Sequence, residues 1–281
     1  MSKIAIVADS SVCLPDELIN KYGVHIIPTI VSKGQEFFRD GVDVTRQQVY
    51  RWLREGYRLG TSQPSVGEFM QVFKELSKKA EAIISIVLTG DLSGTYNSAV
   101  GAAKMLADIP IQVIDSRTLS MAHGFVVLTA ARAIEAGNSL AEVVERAKAM
   151  VPKVNLLAAL ETLEYAHRSG RVPGIAALAG SLLKICPILE VKDNQIKVFA
   201  TVRTKRRALE RLLEEAKRRV GESPAHVAII HGDVREEAER LKERLVQRFN
   251  LAELYMAEIP AVLGVHAGPG ALGLAFYKEE P

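Results

Sequence analysis

The sequence predicts an α/β protein of two lobes: an N-terminal mostly parallel sheet with helices on both faces, and a C-terminal mixed α/β lobe. Three observations carry this expectation. Short β-branched-rich runs alternate with helical patterns through the first half, as a parallel sheet covered on both faces requires. In the second half, residues 186–191 and 195–202 are two strand-like runs around the short polar link Lys192-Asp193-Asn194, which predicts an antiparallel hairpin. The 281 residues are length for about two average domains. A boundary near Val151-Pro152 gives lobes 1–150 and 151–281.

In order, residues 3–8 form a first strand that ends in Asp9-Ser10-Ser11, and Pro15 opens a helix. A second strand spans 25–31, followed by a turn-rich excursion over 33–41. Helices follow at 45–54, with Thr45 as its cap, and at 66–80. A buried-type strand at 83–88 leads to a helix over 95–106. The strand 111–114 ends in Asp115-Ser116, with helices to about residue 150. Beyond the boundary come a strand at 155–160, a short helix near 163–168 and the hairpin. A basic amphipathic helix over 206–219, a strand at 226–230, a helix at 236–249 and a strand at 271–277 complete the chain.

Composition excludes several classes. The hydrophobic fraction is 48% and the charged fraction 25%, an ordinary globular balance with ample material for a core. A net charge of +3 is too small to argue for nucleic acid as a partner. Cys13 and Cys186 form no CxxC pair, and the N-terminus has no secretory leader pattern, so the expectation is a cytoplasmic protein with reduced thiols. The apolar stretch 172–189 is interrupted by Pro173, Gly174, Lys184 and Pro187, too often for a membrane span. Six histidines with no HxxxH pair suggest no metal site.

Polar and Gly-rich segments recur where the first-half strands end, the place where open parallel sheets bind ligands. Asp9 and Asp115 read foremost as helix caps. Ser93 and Gly94, in the segment 89–95 with Gly90, serve equally as a cap or as an anion site at a helix N-terminus. Ser65 and Glu68 make a capping box that leaves Thr61, Ser62 and Gln63 free for a site. His266 lies among Gly264, Gly268, Pro269 and Gly270, read as a loop near a strand start. Gly268, Gly270 and Gly273 match GxGxxG only formally, since too little chain follows for a dinucleotide fold. Ser93 and His266 supply two members of a hydrolase triad, but residues 90–94 miss the GxSxG elbow and no acid stands out. Basic residues cluster at Arg168 and Arg171 and again at Arg203, Lys205, Arg206 and Arg207, of which Arg206 and Arg207 read foremost as a solvated helix face. Among them Arg171, beside Gly170, and Arg203, at a strand end, are best placed to meet an acidic partner or a phosphate.

Taken together, these segments resemble the DegV family, the fatty-acid-binding subunits of bacterial fatty acid kinases. The matching pieces are Asp9-Ser10-Ser11, Thr61-Ser62-Gln63-Pro64-Ser65, residues 92–99, Ile114-Asp115-Ser116, residues 163–171 and His266-Ala267-Gly268-Pro269-Gly270. Ser169 departs from the family's more usual Gly-Gly-Arg run before Arg171. The resemblance implies a long-chain fatty acid held between the lobes, with no other cofactor. Its carboxylate would lie at Thr61, Ser93 and His266, with Ser62 and Gly94 close by. Arg171 and Arg203 would face an ATP-binding kinase subunit that forms the acyl phosphate. The chain itself would be a substrate carrier rather than an enzyme, with at most transient membrane contact. A Ser/His lipid or acyl-ester hydrolase is the alternative, and another amphiphilic acid as ligand is a third reading. Residues 172–183, rich in Ala, Gly and Leu, are expected either to line the tail's tunnel or to form a buried core helix.

Overall fold

The structure is a computed structural model and describes residues 4–106, 108–172, 185–192 and 194–279. Its organising element is one helix. Helix α5 (Ser120–Glu135) has twelve buried residues, and its run of Ala, Gly, Val and Phe offers no polar face until its C-terminus. A helix apolar all round must be buried on all sides, and α5 is clamped between two sheets.

Below it lies a four-stranded, wholly parallel sheet in the order β2-β1-β6-β7. Its strands are β1 (Ile4–Asp9), β2 (Val24–Ile27), β6 (Ala82–Val87) and β7 (Ile111–Asp115). The period-2 alternation divides their side chains. Ile6, Ala8, Ile84 and Ile86 pack on α5. Val7, Ile27, Ile83 and Val87 pack on Phe69 and Phe73 of α3 (Val66–Ser77) and on Ala99 and Ala102 of α4 (Thr95–Met105). This is the expected sheet with helices on both faces. The capping box also forms, with the Glu68 backbone N–H donating to Ser65 Oγ at 3.2 Å and the Ser65 N–H to the Glu68 carboxylate at 2.7 Å.

Above α5 lies a six-stranded mixed sheet, in the order β10-β9-β8-β13-β11-β12. The strands are β8 (Asn155–Ala159), β9 (Cys186–Lys192), β10 (Gln195–Val202), β11 (Ala225–His231), β12 (Leu251–Glu258) and β13 (Leu272–Lys278). All neighbours are antiparallel except β11 with β12, and β9 and β10 form the expected hairpin. The outer face carries α8 (Lys205–Val220) and α9 (Arg235–Arg248) on Leu157, Ile188, Ile229 and Phe276. Leu156, Leu189, Ile230 and Tyr277 of the inner face join the α5 core. The lobes therefore share their largest apolar cluster. The change of sheet falls between α6 (Leu140–Met150) and β8.

A third sheet was not expected. The segments read as a strand at 25–31, a turn-rich excursion and a polar stretch contain β3 (Ile30–Lys33), β4 (Glu36–Arg39) and β5 (Leu59–Ser62), joined in the antiparallel order β4-β3-β5. Pro28 separates β2 from β3, and a proline lacks the N–H that a continuous ladder would need. Strand β12 is likewise absent from the sequence expectation. His266 lies not in a loop but near the end of a short helix, α10 (Ala261–Ala267). Residues 173–184, with the expected tunnel segment, lie outside the described residues.

Candidate functional site

Helix α10 packs against α2 (Arg46–Arg54), β3 and β5. Its first turn has no local side-chain cap, because Pro260 stands at the N-cap. Asp40, in the loop after β4 and only 5% exposed, supplies the acceptor from a distance: the Val262 N–H donates to Asp40 Oδ2 at 3.2 Å. The same oxygen accepts from Ser10 Oγ at 3.0 Å, which in turn pairs with Thr29 Oγ1 at 2.7 Å. Burial pushes the Asp40 carboxyl above its ordinary value, against the pull of the Val262 N–H and Ser10. Gly264 lets the helix approach α2 closely, since a Cβ there would stand 3.1 Å from the Tyr50 hydroxyl. Gly268 ends the helix at φ +74, where a side chain would also collide with the Tyr165 ring.

So anchored, α10 brings His266 to β5, where its Nε2 lies 2.9 Å from Thr61 Oγ1. Burial, with the nearby Arg171 guanidinium adding to it, lowers the His266 pKa from 6.5 to about 4. The ring is therefore neutral at pH 7, with one nitrogen a donor and the other an acceptor. Its Nδ1 is buried without a partner among the described residues. When Nε2 donates to Thr61, the Thr61 hydroxyl proton is free for a third group.

A second hydroxyl stands across from this pair. Ser93 Oγ lies 2.9 Å from Thr95 Oγ1 and accepts the Thr95 N–H at 3.3 Å. With Thr95 donating, Ser93 likewise has a proton to give. Gly94 is the N-cap of α4 and makes no side-chain cap bond, so that helix presents its N-terminal dipole here. A Cβ on Gly94 would meet Gln63 Nε2 at 2.9 Å.

Thr61, Ser62, Ser93, Gly94, His266 and Arg171 all line one cavity of about 240 Å³ between the lobes. The walls of the cavity thus hold the five residues expected near the carboxylate, and with them Arg171, expected to face a partner. Arg203, exposed beyond the end of β10, is not among its walls. Arg171 is exposed as well, its Nη1 donating to the Ser169 carbonyl oxygen at 2.7 Å. Away from this polar end the walls are apolar, with Leu88 and Leu119 from the first lobe and Leu156, Leu189, Val191 and Ile230 from the second. Thr29, Ser11 and Ser120 line it too. In the sequence, Ser11 reads as part of a cap and Thr29 as part of a strand, and nothing marks Ser120. The one signal for Ser11 and Thr29 is their place at the carboxyl ends of adjacent parallel strands.

Ser93 and His266 do not pair. His266 Nε2 is committed to Thr61, Ser93 to Thr95, and no acid holds His266 Nδ1 among the described residues. No group of three or more metal-ligating side chains occurs among the described residues.

The buried imidazole makes a prediction for stability. A folded-state pKa of about 4 against an ordinary 6.5 means the folded chain binds fewer protons than the unfolded one. The stabilisation is present above pH 6.5 and is lost as the pH falls from there towards 4. The buried His123 is shifted in the same direction. Denaturant midpoints measured from pH 7 to pH 5 are expected to fall, and a His266→Gln variant is expected to show a shallower slope. Equal slopes in the two proteins would show that His266 is charged in the fold.

Fold and cavity together define a two-lobed α/β protein with an amphipathic pocket between its lobes. The chain belongs to the DegV family: the family model, described as "Uncharacterised protein, DegV family", matches residues 3–279. A DegV domain-containing protein of Caldanaerobacter subterraneus is 34% identical over 281 residues, covering 100% of both chains. Among solved structures, DegV of Bacillus subtilis, described as a fatty acid binding protein, superposes with a TM-score of 0.90 at 31% identity, covering 99% of this chain and 100% of that one. A stearic-acid-binding protein of Eubacterium ventriosum gives 0.91 at 27% identity, with 99% and 98% covered.

Proposed function

We propose that this chain binds a long-chain fatty acid in the interlobe cavity and presents its carboxylate to an ATP-binding fatty acid kinase subunit, which converts it to an acyl phosphate. The observation that carries the binding reading is the Thr61–His266 pair, set with Ser93 at the polar end of a largely apolar cavity. Neutral donors and a helix N-terminus suit a carboxylate, with Ser62 and Gly94 beside it. The names of the solved relatives, fatty acid binding and stearic acid binding, support the same ligand.

The energetics divide between the two ends. Burying about 15 methylenes is worth roughly 12 kcal/mol gross, at ~0.8 kcal/mol each, less the costs of association and ordering. Each hydrogen bond to the carboxylate adds about 1.5–3 kcal/mol. The tail supplies most of the affinity, and the hydroxyls and imidazole decide where the reacting oxygen sits. Arg171 and Arg203, both exposed, are the cations proposed to meet the kinase and its phosphates. The proposed compartment is the cytoplasm, with at most transient membrane contact. No helix among the described residues is long and apolar enough to cross a membrane. The hydrolase alternative is disfavoured by the missing Ser93–His266 bond and by the absence of an orienting acid on His266 among the described residues.

The test of binding is mass spectrometry of an organic extract of the purified, denatured protein. A stoichiometric long-chain fatty acid is expected. An empty extract, repeated after incubation with mixed free fatty acids, would overturn the reading.

A further inference from the structure

We propose that the cavity holds a second polar subsite, formed by Ser11 and Ser120, that takes a hydroxyl group on the carboxyl-proximal part of a bound acyl chain. This rests on the reading that the cavity takes a fatty acid.

Ser11 and Ser120 are 0% and 1% exposed; the Ser11 hydroxyl has no hydrogen-bond partner among the described residues, and that of Ser120 has only the weakly accepting Cys13 sulfur beside it. Both line the cavity, amid Leu88, Leu119, Ile230 and Ile259. A buried hydroxyl left unpaired is costly, and alanine would line an apolar tunnel without that cost. Several neighbouring polar groups are satisfied, while the buried Ser85 hydroxyl and His123 Nδ1 also lack a partner among the described residues. Ser10 pairs with Thr29 and Asp40, and Ser116 donates to the Thr118 carbonyl oxygen at 3.2 Å. Both carboxylate oxygens of Asp9 accept backbone N–H groups, from Ser11 and Leu88. The Cys13 thiol, close to Ser120, gives its own proton to the Glu258 carbonyl oxygen at 3.4 Å. Among the unpartnered groups, the Ser11 and Ser120 hydroxyls belong to residues that line the cavity. Ser120 is also held at φ +57, a conformation uncommon outside glycine.

Their place along the ligand follows from the sheet. Strands β1 and β6 are parallel neighbours with Ala8 beside Ile86, so Ser11 and Leu88 leave the same edge of the sheet. The loop after Leu88 carries Ser93, and Thr29, joined to Ser10, follows β2 on that edge and leads into β3, where Ile30 pairs with Ser62. Ser11 therefore stands behind the headgroup residues rather than at the far end of the tunnel. Neither a cation nor an anion is called for there. A hydroxyl donates once and accepts twice, so one ligand hydroxyl serves both serines, and a methylene serves neither.

The experiment compares hexadecanoate with 3-hydroxyhexadecanoate, each displacing a fluorescent fatty-acid analogue from the wild-type chain and from a Ser11→Ala/Ser120→Ala variant. The quantity read is the ratio of the two dissociation constants. Two hydrogen bonds predict a preference for the hydroxylated acid of about tenfold in the wild type, lost or reversed in the variant. The single Ser11→Ala protein is measured as well, and an intermediate ratio is expected. The same ratio in wild type and variants would overturn the subsite alone. Failure of hexadecanoate itself to bind would overturn the fatty-acid reading, and the subsite with it.

Discussion

A His266→Ala substitution is expected to weaken binding of a long-chain acid by roughly 10- to 150-fold, the equivalent of about 1.5–3 kcal/mol for a hydrogen bond to a charged group. The neutral imidazole has one N–H, and with Nε2 donating it to Thr61 Oγ1 at 2.9 Å it leaves the Thr61 hydroxyl proton to the carboxylate. Removing it frees that hydroxyl to turn away from the carboxylate. The effect should be confined to the charged end, so the methyl ester of the same acid should lose far less affinity. His266→Gln, which keeps a side-chain N–H, should recover part of the loss. Titration calorimetry with acid and ester measures both. Equal losses for acid and ester would mean that His266 supports the tunnel's shape rather than the carboxylate, and would remove it from the headgroup site.

Asp40→Ala is the second large effect, and it acts on the helix rather than on the ligand. The substitution leaves the Val262 N–H without its acceptor and breaks the Ser10–Asp40 link. Loss of a helix cap costs about 1 kcal/mol, and a buried donor left unpaired costs about 1–3 kcal/mol. The two figures describe the same lost bond, so the wider range holds, and about 1–3 kcal/mol corresponds to a fall in melting temperature of roughly 2–5 °C. Because α10 carries His266, fatty-acid affinity should fall as well, although Asp40 is not among the cavity's walls. Asp40→Asn keeps an oxygen acceptor and should cost less. The sign of the pH effect supports this. The folded carboxyl titrates above its ordinary value, so its ionisation opposes folding as the pH rises through that value, and Asn carries no such charge. Thermal melts of the two variants at pH 7 give the comparison. An Ala variant as stable as the wild type would mean that the helix start needs no remote acceptor.

The contrast between Ser65 and Asp40 shows what is legible in the sequence. Ser65 and Glu68 are three residues apart, so their capping box is written in the local sequence and needs no tertiary contact to be recognised. Asp40 and Val262 are separated by 222 positions, and no local pattern announces that one caps the other. With Pro260 at its N-cap and glycines on both sides of His266, α10 has the composition of a loop.

The edge strands were hidden for a related reason. Each of β3, β4 and β5 has four residues, too few for a period-2 pattern to stand out. In β12, partly exposed on the sheet edge beside β11, apolar and polar residues do not alternate cleanly. Longer, fully buried elements behaved differently. Strands β1 and β6, with their continuous apolar runs, could hardly be anything but the centre of a parallel sheet.

By itself, then, the sequence determined the alternation of strands and helices, the parallel sheet and the β9–β10 hairpin. These follow from short-range periodicity and turn chemistry. Tertiary structure alone decided that α5 is sandwiched between the lobes, that His266 rides on a remotely capped helix, and that its partner is Thr61 rather than Ser93. It also decided which serines are satisfied. Ser10 and Ser11 are adjacent in the chain, yet the hydroxyl of one has three hydrogen bonds and that of the other has none among the described residues. Hydrogen-bond satisfaction depends on atoms brought together from distant segments, and neither composition nor spacing carries that information.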